Sequence, residues 1–134
     1  MIPEIIKQWE ENKHKLEEYF RTTVQSKYSN YSDIVKRVFE LVINDDDDNV
    51  YDYEKLRVLD DGDYQGTQIF IAVKNCYQPS TNDYLVTHNS YGSCSGCDTL
   101  QAIHDYNNDV VPDEEQIKDY MTLALHLVQR MKKL

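Results

Sequence analysis

A single α+β domain is predicted, with a three-stranded antiparallel meander packed against N-terminal and C-terminal helices in the order ααβββαα. Three features of the 134-residue chain predict it: helical-period apolar stripes at both ends, short strand-like runs in the middle, and no linker-like stretch or repeat between them. The length suits one compact domain, 1–134.

Residues 2–25 form the first stripe, in which Ile2, Ile5, Ile6, Trp9, Leu16, Tyr19, Phe20 and Val24 recur at steps of three and four. Lys13 interrupts it. A second helix over 31–43 carries Ile34, Val35, Val38, Phe39, Leu41 and Val42, which leaves few polar positions and predicts deep burial. Four aspartates, Asp45–Asp48, end it, since clustered carboxylates must stay solvated.

The pattern then changes to strands. Leu56, Val58 and Leu59 make a short first strand, and Asp60-Asp61-Gly62-Asp63 is turn chemistry. The run Gln68–Val73 is apolar almost without a break, which predicts a central strand covered on both faces. A turn from Pro79 to Asp83 leads to a third strand around Tyr84–Asn89. A short helix begins near Asp98, with Ser95 or Asp98 as its cap and Gln101 placed to complete a capping box. Pro112 suits the first position of the last helix, and Asp113, Glu114 and Glu115 suit the positive end of its dipole. Its stripe runs from Ile117 through Tyr120, Met121, Ala124, Leu127, Val128 and Met131 to Leu134, with Arg130, Lys132 and Lys133 at the negative end.

Charge narrows the function. The net charge is −10, and residues 45–63 hold nine acids (Asp45, Asp46, Asp47, Asp48, Asp52, Glu54, Asp60, Asp61, Asp63) against Lys55 and Arg57. Phosphate backbones repel such a chain, so direct nucleic-acid binding is disfavoured, whereas a basic protein is attracted. Tyr51, Tyr53 and Tyr64 flank the acidic segment, and rings interleaved with carboxylates suit a protein interface. The partner-binding set is therefore Asp45–Asp48, Asp52, Tyr51, Tyr53, Asp60, Asp61 and Asp63. No apolar run reaches the ~20 residues of a membrane span, and no basic-then-apolar leader opens the chain. With three cysteines, an odd number, a reducing cytoplasmic compartment is expected.

The stretch Tyr91-Gly92-Ser93-Cys94-Ser95-Gly96-Cys97-Asp98 stands out, because a C-x-x-C pair can reach one metal ion or close on itself. Three readings are open. His88, Cys94, Cys97 and His104 have the donor types of a tetrahedral zinc site, with Cys76 as a substitute ligand. A strand followed by C-x-x-C at a helix start also suits thiol redox work, although Asp98 opposes a thiolate and no βαβ unit precedes the box. Finally, free cysteines pack as small hydrophobes around the two glycines of a tight turn.

YGSCSGCD, continuing as Thr99-Leu100, resembles a short signature in uncharacterised small proteins of bacteriophages and bacteria. The resemblance covers about ten residues, implies a microbial or phage origin and carries no activity or site.

Calcium fits poorly. Counting from Asp45, the sixth and twelfth positions of an EF-hand loop fall on Val50 and Leu56 rather than glycine and glutamate. No nucleophile elbow, P-loop, H-E-x-x-H or dinucleotide fingerprint occurs, so an enzyme is without support. The leading expectation is a small acidic protein-binding module, an inhibitor of the phage counter-defence or immunity type acting on a basic, nucleic-acid-associated partner. The alternatives are a metal or thiol-redox module, or an enzyme, centred on Cys94 and Cys97, and a dimeric structural protein pairing through a terminal helix.

Overall fold

The computed structural model describes residues 2–26, 29–44, 50–93, 98–104 and 110–134, with only the backbone of His104 included. It is an α+β fold with helices on one side of a four-stranded antiparallel sheet.

Helix α1 (Pro3–Thr22) starts on a proline, which has no amide hydrogen to satisfy there. It buries Ile5, Trp9, Asn12, Leu16 and Phe20, whereas Ile6 and Val24 lie exposed. Helix α2 (Tyr31–Val38) is started by a reciprocal cap: Asn30 Oδ1 accepts from the Asp33 amide at 3.2 Å, and Asp33 Oδ2 accepts from the Asn30 amide at 3.0 Å. From Phe39 to Ile43 the helix widens into a π-turn. The polar residues of α1 meet this turn. Asn12 donates its side-chain amide to the Val42 carbonyl at 3.2 Å, and Gln8 donates to the Ile43 carbonyl at 3.0 Å. Helix ends leave carbonyls without partners, and α1 supplies donors for two of them.

The strands are β1 (Arg57–Asp60), β2 (Gly66–Val73), β3 (Tyr84–Tyr91) and β4 (Lys132–Lys133), in the order β1-β2-β3-β4. The predicted three-strand meander is present as β1–β3, and β4 is an addition. After α4 (Glu114–Gln129) the chain leaves the helix at Arg130 and buries Met131. It then pairs Lys132 with Val86 and Lys133 with Leu85. A two-residue strand has no period for a sequence to display, and two lysines at a helix end read equally well as dipole partners. Leu134 is exposed, outside the stripe expected for it.

Successive residues of a strand face opposite ways. On the inner face Phe70, Ala72, Leu85 and Thr87 are buried, and Thr87 Oγ1 donates to the Leu127 carbonyl at 2.6 Å, which pins α4 there. On the outer face Leu59 and Ile69 are exposed, and Ile71, Val73, Tyr84 and Val86 are half-buried. The Gln68–Val73 run is therefore covered on one face only, contrary to expectation. β1 is exposed along its whole length.

Helix α3 (Thr99–His104) packs against α4. Asp113 caps α4, so Pro112 lies one residue before the cap and not at the expected first helical position: the Asp113 carboxylate accepts from the Gln116 amide at 2.8 Å, and Gln116 Oε1 accepts from the Asp113 amide at 3.0 Å. The core joins Leu16 and Phe20 of α1, Ile34–Phe39 of the second helix and Tyr120–Val128 of α4 to the inner sheet face. None of the helices among the described residues is long and apolar enough to cross a membrane.

Candidate functional site

The acidic segment divides into parts with different surroundings. Asp45, Asp46, Asp47 and Asp48 lie outside the described residues. The ends of their segment are clasped by Asn44, whose side chain donates to the Tyr51 carbonyl and accepts from the Tyr51 amide, both at 2.8 Å. One side chain thus does the work of a strand partner. Tyr51 does not belong to a partner surface: it is buried, its ring 5.6 Å from that of Phe39, because it bridges to Lys74 at the sheet margin. Tyr53 donates to Glu40 at 2.7 Å with Arg37 over its ring, so it anchors the loop to α2 while staying half-exposed. Asp52 pairs with Lys55 at 3.8 Å.

Asp60, Asp61 and Asp63 occupy the β1–β2 hairpin end and are exposed. Asp60 Oδ1 accepts from the Gly62 amide at 3.0 Å and from the Tyr91 hydroxyl at 2.6 Å, and Asp60 Oδ2 accepts from Gln68 at 3.2 Å. Asp61 accepts from the Thr67 amide at 2.7 Å. A side chain at Gly66 would run into that carboxylate, its Cβ lying 2.5 Å from Asp61 Oδ1. Gly66 also faces Tyr91 in register, so the phenol reaches across β2 to Asp60. Those hydrogen bonds, chiefly that from Tyr91, hold the Asp60 carboxyl below 3.8, and the same contact pushes the Tyr91 phenol up to about 12. None of these donors is cationic. Among the described residues, Asp60 and Asp61 are ordered, and none of the three hairpin carboxylates is paired with a cation. Tyr64, beside them, is 82% exposed.

The cysteine box is described only at its margins. Cys94 and Cys97 lie outside the described residues, and of His104 only the backbone is described. His88 stands in the outer-face row opposite Ile69, whereas α3, which carries His104, packs against α4 on the helical side. The described residues include no group of three or more metal-ligating side chains. Asp98 has a definite role. It is 6% exposed and accepts from Tyr31 Oη at 2.9 Å, from the Gly92 amide at 3.0 Å and from the Gln101 amide at 3.0 Å. The backbone half of the expected box is the Gln101 amide on Asp98, and the Gln101 side chain donates to the Gly92 carbonyl at 3.1 Å. Tyr31 in turn accepts from the Leu100 amide at 3.1 Å, and burial pushes its phenol up to about 12. A contact from residue 31 to residue 98 has no local signature, so this partner was beyond sequence reasoning.

Cys76 is exposed and unpaired. Partial desolvation, and then Asp83, raise its thiol above the ordinary 9.0. It should alkylate more slowly than free cysteine at neutral pH, and Asp83→Asn should speed it, as followed by mass mapping of the modified peptide. Equal rates for wild type and variant would show that Asp83 does not restrain the thiol.

An open groove of about 800 Å³ runs between α1 and α4 over Trp9, Met121 and Leu125. Its acids are offset by Lys13, Lys118 and Arg21, the last holding both Glu17 and Glu114, so it offers little net charge to a ligand. Comparison with protein-family models, curated proteins and solved structures finds no match.

Proposed function

We propose that this chain is a small acidic protein-binding module that captures a basic, nucleic-acid-associated protein through the acidic segment 45–63. One observation carries the reading: the exposed carboxylates Asp60 and Asp61 are held by neutral donors of their own hairpin and of β3, so their charge stays available to an outside cation. Pre-ordered side chains lose less entropy on binding, and exposed negative charge steers a cationic partner. Asp63 and Tyr64 extend this surface, and Asp52 and Asp45–Asp48 belong to the same acidic segment in sequence. An inhibitor of the phage counter-defence or immunity type, acting in a bacterial cytoplasm where Cys76 remains a thiol, is the setting that this reading suggests.

The test uses an oligolysine peptide as a cationic probe, with affinity measured against salt. Asp60→Asn/Asp61→Asn/Asp63→Asn removes three charges and leaves one acceptor oxygen on each side chain. At ~0.5 kcal/mol per exposed pair, it should weaken binding about tenfold at low salt. Glu10→Gln/Glu11→Gln/Glu18→Gln removes the same charge from α1 and should have a clearly smaller effect. Equal losses in the two variants would reduce the binding to net charge and end the proposal.

A further inference from the structure

We propose that the outer face of the sheet docks an acidic amphipathic helix from a partner protein. The central strand is apolar on both of its alternating faces, which is the composition of a strand sandwiched between two layers. Among the described residues, helices cover only one of these faces. Leu59 is left 47% exposed and Ile69 37%, beside half-buried Ile71, Val73, Tyr84 and Val86. Together these form one contiguous apolar patch, of a kind that marks interaction sites when polar groups rim it.

The rim specifies the occupant. In register, one row across the sheet reads Arg57, Ile71, Val86, Lys132, with an apolar pair between two exposed cations. Arg57 and Lys132 hold no carboxylate among the described residues, a state they share with Lys15, Lys36, Lys118 and Lys133, and their distinction is their place at the two ends of this apolar row. In a chain of net charge −10, Arg57 and Lys132 set two cations at opposite rims of this apolar face. Strands β1 and β4 lie three spacings apart, ~14 Å, and a helix is ~10–12 Å across with its side chains. A single helix laid over β2 and β3 therefore fits between the cations. Its apolar stripe would meet Ile69, Ile71 and Val86, and carboxylates on its two flanks would reach Arg57 and Lys132. A second copy fits less well, because face-to-face stacking opposes the same cationic rows and brings together two chains of −10. This surface is the outer face of the sheet that carries the acidic hairpin end, and the proposal rests on its apolar row and rim cations and not on the function of Asp60, Asp61 and Asp63.

The experiment is selection from a displayed library of helical peptides about 18 residues long, enough to span β2, with a fixed leucine and alanine stripe and randomised flanks. Only clones that lose binding to Ile71→Asp are counted, which removes those held by the hairpin. Leu59→Asp, at an exposed position, is the second filter should Ile71→Asp disturb the sheet. Wild type should enrich aspartate and glutamate on both flanks. Arg57→Glu/Lys132→Glu should bind those clones about tenfold more weakly and select lysine and arginine instead. An absence of Ile71-dependent clones, or of any acidic preference among them, would overturn the proposal. So would a dimer, seen by light scattering, that Ile71→Asp dissociates.

Discussion

Phe20→Ala is expected to cost about 3–5 kcal/mol, a large share of the ~5–15 kcal/mol that stabilises a domain of this size. Phe20 is fully buried and stacks on Tyr120, with ring centroids 4.7 Å apart and planes within 8°. It joins α1 to α4, while Leu16 one turn earlier joins α1 to the same core. Removing the ring deletes buried apolar surface and leaves a cavity that two helices and a π-turn are poorly able to close. Losing the stacked pair adds to that cost. Phe20→Leu, which keeps most of the volume, should cost under about 1.5 kcal/mol. Val24→Ala, at a position 47% exposed, should stay within about 0.5 kcal/mol. Urea unfolding followed by circular dichroism ranks the three. A Phe20→Ala loss no greater than that of Val24→Ala would mean that α1 is not part of the cooperative core.

The readable parts of this fold are those decided locally. The stripes of α1 and α4 obey a helical period, so both helices were placed within a few residues of where they lie, whereas the caps at Asn30 and Asp113 emerge only with the structure. Failures occur where a distant group decides. Asn12 sits in the buried stripe of α1, which a hydrophobic count passes over, because the π-turn offers it the Val42 carbonyl. Tyr51 reads as a surface aromatic beside aspartates, yet Asn44 folds the segment back and turns its ring into the core. The apolar run of β2 reports that both of its faces want cover, but not that the described residues bury only one of them. At the candidate site the acidic character of the hairpin was legible, whereas its neutral anchoring by Tyr91, 31 residues away, was not.

Asp98→Ala should be the most damaging change at the cysteine box, at about 3–5 kcal/mol, and the cause lies outside the cysteines. The carboxylate is buried and accepts from the Tyr31 hydroxyl and the Gly92 and Gln101 amides. Alanine leaves three donors without their acceptor in a site nearly closed to water, each costing ~1–3 kcal/mol where relaxation does not rescue it. It also removes the N-cap of α3, worth ~1 kcal/mol. Asp98→Asn keeps one acceptor oxygen but turns an NH2 toward the remaining donors, so it should fall between alanine and wild type. Tyr31→Phe tests the far end of the same network, since it removes one donor to Asp98 and the acceptor for the Leu100 amide, with an expected cost of about 1–3 kcal/mol. Because the two residues share a hydrogen bond, the double variant Tyr31→Phe/Asp98→Ala should cost less than the two single changes added together. An optical titration gives a reading independent of stability. Asp98 is among the groups that raise the Tyr31 phenol to about 12, so in Asp98→Ala this phenol should ionise nearer its ordinary 10.0. A variant that unfolds at the wild-type urea concentration, with that phenol unmoved, would mean that the box is held by its cysteines and not by the capping carboxylate.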